Sequence, residues 1–352
     1  MPQVKKTKKS AGPRLHLVDV WALEAAEYPR ALDWSADGER LALGTADGTL
    51  RVLDAASGTL LHTKSSGGAL TRVCWSPRQR MLAAASEDGT CRVWRDTGEL
   101  VAELPGKGAG WVDHVAWAPE GERLAIASGR IARVFTVRGE PVLETDAHPS
   151  TVTGMEWSPQ GDALATICYG GVHLWSLHKG SPARHLPWKG SLIALAWSPD
   201  GEVIACGSQD CSVHFWRLRS GKDSEMTGYP AKPRELAWSS DSRLLATSGE
   251  ATICVWRFEG DGPEGTKPLL LKGHEDLLTA LDFSGEDHTL ASGSKDSDVL
   301  LWRPEVTPKP VGLARMKDAV VLLRFSPDGQ RLAAADETGH VEVWRVSETR
   351  VE

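Results

Sequence analysis

One residue pattern is written eight times along this chain, and it constrains the fold more tightly than any single motif. Each copy has an apolar strand ending in an aromatic and a Ser-Pro-Asp-Gly-like turn. A strand of small residues, a second turn and a strand ending in another aromatic follow. The first aromatic falls at Trp34, Trp75, Trp117, Trp157, Trp197, Trp238, Phe283 and Phe325. The second falls at Trp94, Phe135, Trp175, Trp216, Trp256, Trp302 and Trp344, with Leu53 in the first copy. Successive first aromatics stand 41, 42, 40, 40, 41, 45 and 42 residues apart.

A period near 40 with about four strands per copy predicts propeller blades rather than helical arrays. The second copy shows the logic. Thr71 to Trp75 alternates in character as a half-buried strand should, and Pro77 stops the ladder because it has no N–H to donate. Met81 to Ala85 is small enough for a crowded inner strand. Asp88-Gly89 signals a tight turn. Thr90 to Trp94 is the third strand and Glu99 to Leu104 an outer fourth. Twelve of the fifteen Trp belong to the two aromatic registers, where they pack sheet against sheet. The last copy leaves only six residues after Val346, too few for a fourth strand, whereas Leu15 to Trp21 is an alternating strand with no copy of its own. The fold class expected is therefore all-β: a single closed eight-bladed β-propeller of four-stranded antiparallel blades over residues 15–346. The N-terminal strand is expected to close the last blade, with a basic tail at 1–14 and a C-terminal tail at 347–352. The widest spacing holds Glu259 to Thr266, a Gly-rich acidic insertion expected to be a mobile outer loop.

The copy containing Lys272-Gly273-His274, Phe283-Ser284, Leu290 to Asp296 and Leu301-Trp302 resembles the WD-repeat β-propeller family, and the resemblance runs from Leu15 to Val346. It implies a buried hydrogen-bond tetrad of His274, Ser292, Asp296 and Trp302. The fourth copy keeps His148, Thr166 and Trp175, but Tyr169-Gly170-Gly171 replaces the acidic turn. The other copies lack the loop His. The resemblance also implies a scaffold that arranges other proteins rather than an enzyme.

Charge excludes some roles. The formal net charge is −7, but Met1 to Arg14 contributes five cations and no acid. The remainder therefore holds 35 basic against 47 acidic groups, a net −12. Such a body argues against a general nucleic-acid surface, which needs clustered Lys and Arg. No apolar run reaches the roughly 20 residues of a membrane helix. Cys74, Cys91, Cys168, Cys206, Cys211 and Cys254 sit mostly at strand positions with no Cys-x-x-Cys pair, which reads as reduced thiols in a cytoplasmic protein without metal or disulfide.

No phosphate loop, Gly-x-Ser-x-Gly elbow or zinc helix is present, and most Asp residues are explained by Asp-Gly turns. Neither cofactor nor catalytic residue is expected. The informative residues are the aromatics that break the repeat: Trp21, Tyr28, Trp111, Tyr169, Trp188 and Tyr229. All six map to the face bearing the loops that enter each first strand and the turns between second and third strands. Large aromatics with polar tips are favoured binding anchors. The expectation is a monomeric protein- or peptide-binding rim centred on Trp111, Trp188 and Tyr229. The alternatives are a small ligand or catalysis in the central channel, and nucleic acid held by the basic tail.

Overall fold

A computed structural model describes residues 14–349 apart from 109, 178–181, 261 and 286. The expected basic tail, except Arg14, and the last three residues lie outside the described residues. Every described regular element is a strand, and the blades are antiparallel as the alternating patterns require.

The expectation of eight separate blades in a closed ring is corrected. Among the described residues the strands form seven hydrogen-bonded sheets, six of four strands and one of six, and no sheet closes on itself through hydrogen bonds. The six-stranded sheet holds the fourth and fifth copies together. Its strand Pro182–Trp197 leaves the fourth copy and enters the fifth without a break, because Tyr169 pairs with Ser191 across the point where a loop was expected. The preceding strand, Ala163–Ser176, doubles back at Gly170 and Gly171, whose φ values of 100° and 128° only glycine adopts readily.

The chain ends meet in the last sheet. Arg14–Glu24 pairs antiparallel with His340–Thr349, from Arg14 opposite Thr349 to Glu24 opposite His340, with a register shift between Asp19 and Trp21. Pairing thus reaches beyond the expected 15–346 limits at both ends. Leu15 N–H also donates to Val311 O (2.8 Å), which ties this outer strand to the seventh copy.

Eleven of the twelve repeat Trp are buried; Trp238 is partly exposed, edge-on to Phe258. The second strands are the most crowded. Met81–Ser86, Val203–Ser208 and Leu244–Gly249 are buried at every position. At Gly207 even a methyl group is excluded, because a Cβ there would stand 1.9 Å from Pro233 O of the next copy. In every copy but the third, which has Ala118 there, a serine after the first aromatic holds the turn that follows. Ser198 Oγ donates to Asp200 (2.6 Å) and accepts from Val203 N–H (2.9 Å), and Ser239 repeats this with Asp241 and Leu244.

Neighbouring copies are joined in two ways, chosen by the residue before the first aromatic. Where that residue is not acidic, the next copy's indole N–H donates to its carbonyl. The pairs are Trp117 to Cys74, Trp157 to Ala116 and Trp34 to Arg324, each 3.1 Å, and Trp238 to Ala196, 3.3 Å. Where it is acidic, its carboxylate reaches across and accepts the backbone N–H of the next aromatic. Trp75 N–H donates to Asp33 (2.7 Å), Trp197 N–H to Glu156 (3.0 Å) and Phe325 N–H to Asp282 (2.7 Å). The indoles of Trp75 and Trp197 are then buried without a partner. The junction of Ala237 with Phe283 offers neither bond.

Candidate functional site

The position nine residues before the first aromatic explains two of the six unusual aromatics. It holds His148, Trp188, Tyr229 and His274 in the fourth to seventh copies. In the seventh copy Trp302 Nε1–H donates to Ser292 Oγ (2.8 Å), Ser292 meets His274 Nε2 (2.7 Å), and His274 Nδ1 meets Asp296 (3.0 Å). In the fourth, Trp175 Nε1–H donates to Thr166 Oγ1 (2.8 Å), and Thr166 meets His148 Nε2 (2.7 Å). His148 Nδ1–H then donates to Arg130 O (2.8 Å), so a backbone carbonyl replaces the missing Asp. A carbonyl can only accept, which fixes the proton on Nδ1. Burial pushes the pKa of both His down and keeps them neutral.

Tyr229 does the same work without a histidine. Trp256 Nε1–H donates to its hydroxyl (2.8 Å), the hydroxyl lies 2.8 Å from Thr247 Oγ1, and Thr247 donates to Cys254 O (3.1 Å). Tyr229 is only 7 % exposed, so its assignment to a binding rim is corrected: its ring fills the loop-His position. Trp188, partly exposed, packs against its own blade. Its ring stacks on His214 at 4.0 Å, with Trp216 edge-on to the same imidazole. The hydroxyl found 18 residues later in the other three copies is here Cys206, and the Trp188 indole N–H has no partner. Trp21 is also a packing residue. Its Nε1–H donates to Ala55 O (3.0 Å) in the turn joining the third and fourth strands of the first copy, at the blade end opposite the loop-rich face. The spacing of nine was a readable signal for Trp188 and Tyr229, hidden because neither residue is a histidine.

Tyr28, Trp111 and Tyr169 remain at the surface, 43 %, 54 % and 55 % exposed. Tyr28 and Trp111 share one register, six residues before their first aromatics, in the loops entering the first and third copies. Tyr169 lies in the second turn of the fourth copy, its N–H bonded to Ser150 Oγ (2.9 Å). Topology puts all three on the loop-rich face.

Inside this arc the channel is charged. A cavity of about 490 Å³ is lined by Arg30, Arg72, Arg234 and Arg324 together with Asp33 and Glu235. Burial pushes the Asp33 carboxyl up to about 6 and the Glu235 carboxyl up to about 7. On the wall nearby, burial takes Glu156 up to about 7 and His114 down to about 4. The thiols Cys74, Cys91, Cys206 and Cys254 are pushed up by burial and so are held as neutral S–H. Among the described residues no three His, Cys, Asp or Glu gather to hold a metal ion, and no helix is long and apolar enough to cross a membrane.

Comparison with known proteins agrees with this architecture. The family described as WD domain, G-beta repeat matches residues 58–95, 139–176, 180–217, 225–257 and 265–303, more than half of the chain. The WD40 domain of anaphase-promoting complex subunit 4 matches residues 6–73. Relatives include the intraflagellar transport protein 80 homolog of Mus musculus, 27 % identical over 40 % of this chain and 18 % of its own length. Another is WD repeat-containing protein VIP3 of Arabidopsis thaliana, 32 % identical over 39 % of this chain and 49 % of its own. The chain thus spans under half the length of either relative. Among solved structures, the computationally designed Ika8 protein aligns with a TM-score of 0.78 at 21 % identity, over 95 % of this chain and all of that one. The Dos1 propeller aligns with a TM-score of 0.79 at 17 % identity, over 94 % and 95 %. The repeat matches, the strand order and the His274–Ser292–Trp302 bonding lead to one conclusion: the chain belongs to the WD40 repeat family.

Proposed function

We propose that the protein is a non-catalytic scaffold that binds a protein or peptide partner on its loop-rich face, with Tyr28, Trp111 and Tyr169 as anchors. The observation that carries this reading is the contrast among the aromatics. The other irregular aromatics are drawn into packing, whereas the side chains of these three, the most exposed of all, lie on one face. Tyr and Trp bury much area at small entropic cost, which suits them to anchor a partner. Membership of the WD40 family supports the same class of role, as does the match to the WD40 domain of anaphase-promoting complex subunit 4, named as part of a complex. The partner, the cellular compartment and the monomeric state belong to the proposal.

The test is a photo-crosslinking residue placed at position 111, compared with one at Gln79 in a turn on the opposite face. The reading predicts discrete adducts from position 111 that fade when Tyr28 and Tyr169 are both changed to Ala. Equal or greater crosslinking from position 79 would move the surface elsewhere.

A further inference from the structure

The channel holds more positive charge than its own carboxylates engage. Arg72 has no carboxylate within 4 Å and no hydrogen-bond acceptor for its guanidinium among the described residues, and the Arg234 guanidinium has none either. Arg324 meets Asp282 only at 3.5 Å, and Arg30 meets Glu87 at 3.8 Å. Arg72 and Arg324 also act on each other: burial, then the Arg324 charge, pulls the Arg72 pKa down. Two like charges share one cavity here, in a body that is otherwise strongly acidic. The nearby acids Asp33 and Asp282 are already committed to Trp75 N–H and Phe325 N–H. The Glu235 carboxyl has no hydrogen-bond partner among the described residues, and burial favours its protonated form near neutrality, in which it donates rather than repels.

From this geometry we infer that the central channel is a binding site for a small multivalent oxyanion of the phosphate class, gripped by Arg72 and Arg324. Guanidinium forks match such oxygens in pairs, and a cavity of about 490 Å³ lies in the size range of small-molecule sites. Bound there, the anion joins the first strands of the second and eighth copies, which flank the first, so it also stabilises the folded state by mass action. The inference is independent of the aromatic rim.

The experiment is calorimetric titration of the whole chain with inorganic pyrophosphate at neutral pH and low salt, with thermal melting in parallel. The site predicts saturable one-to-one binding and a higher Tm with ligand. It also predicts at least tenfold weaker binding for Arg72→Met and for Arg324→Met, less loss for Arg72→Lys, and no change for Arg95→Met at the end of a strand on the opposite face. Two variants on different copies, each checked by its melt, guard against one that fails to fold. Absent saturable binding, equal weakening by Arg95→Met, or no effect of Arg72→Met and Arg324→Met would overturn the inference. Capture of a phosphoserine peptide without any binding of pyrophosphate would overturn it too, by assigning the charge to a macromolecular partner.

Discussion

At the scale of single residues, the same amino acid does opposite jobs depending on its neighbour. Trp117 and Trp197 are equally buried at the same repeat position, yet only Trp117 has a partner for its indole N–H. A net hydrogen bond is worth about 1 kcal/mol, and a buried unpaired donor costs about 1–3 kcal/mol. Trp117→Phe is therefore expected to destabilise more than Trp197→Phe, by about 1–2 kcal/mol in denaturant titration. Equal losses would show that the two junction types do not differ in energy. Tyr229→Phe should cost about 1–3 kcal/mol, since it strands Trp256 Nε1–H inside the blade. A neutral result would mean that the Trp256 indole readily finds another partner. These assignments were partly legible beforehand. The acid before the aromatic stands plainly at Asp33, Glu156 and Asp282, and the nine-residue spacing places Trp188 and Tyr229 beside His148 and His274. Exposure was not legible, because sequence position gives the loop but not the direction of the ring.

At the scale of elements, the strand most exposed to error is the one that joins the chain ends. Arg14–Glu24 was recognisable by its alternation and by the missing outer strand of the last copy, and it pairs along the whole of His340–Thr349. Removing residues 1–24 opens that edge and takes away Leu15, uncovering Leu301, Val320 and Trp344 of the cluster it packs in. Thermal melting should show a Tm lower by many degrees, or aggregation, whereas removing residues 1–13 should leave it unchanged. Equal melting of the two truncations would contradict the role given to this strand. The fused Pro182–Trp197 strand was not legible. Pro187 and Gly190 read as a loop, but Trp188 stacked on His214 and Tyr169 paired with Ser191 hold the backbone extended. The acidic insertion differs too. It is tied to its own copy by Arg243 with Glu259 and to the fifth copy by Arg217 with Glu264 at 3.7 Å, contacts that its Gly content does not announce.

At the scale of the whole molecule, buried charge gathers on and beside the first strands, and this sets a dependence on pH. Burial raises the Glu156 carboxyl from its ordinary 4.5 to about 7, against the opposing pull of Trp197 N–H. The folded chain then keeps a proton that the unfolded chain has already released. Stability from this group is full below pH 4.5 and is lost as pH rises to about 7. Asp33 and Glu235 act in the same direction, and His114, pushed down to about 4, acts in the other. Comparing Glu156→Gln with the parent isolates one group. The variant should match the parent near pH 4.5 and exceed it at pH 8 by about 1–2 kcal/mol, the range allowed once channel water is counted. A constant difference across that range would rule out Glu156 as the titrating group.

The proposed function gives Tyr28, Trp111 and Tyr169 to the partner and Trp21, Trp188 and Tyr229 to packing. Two variants decide it, Tyr28→Ala with Trp111→Ala and Tyr169→Ala, and Trp21→Ala with Trp188→Ala and Tyr229→Ala, each scored for Tm and for partner capture. The first set should melt like the parent and lose the partner. The second should melt at least several degrees lower while its folded fraction still captures. The reverse pattern, with the partner retained by the first set and lost from a fully stable second set, would contradict the division.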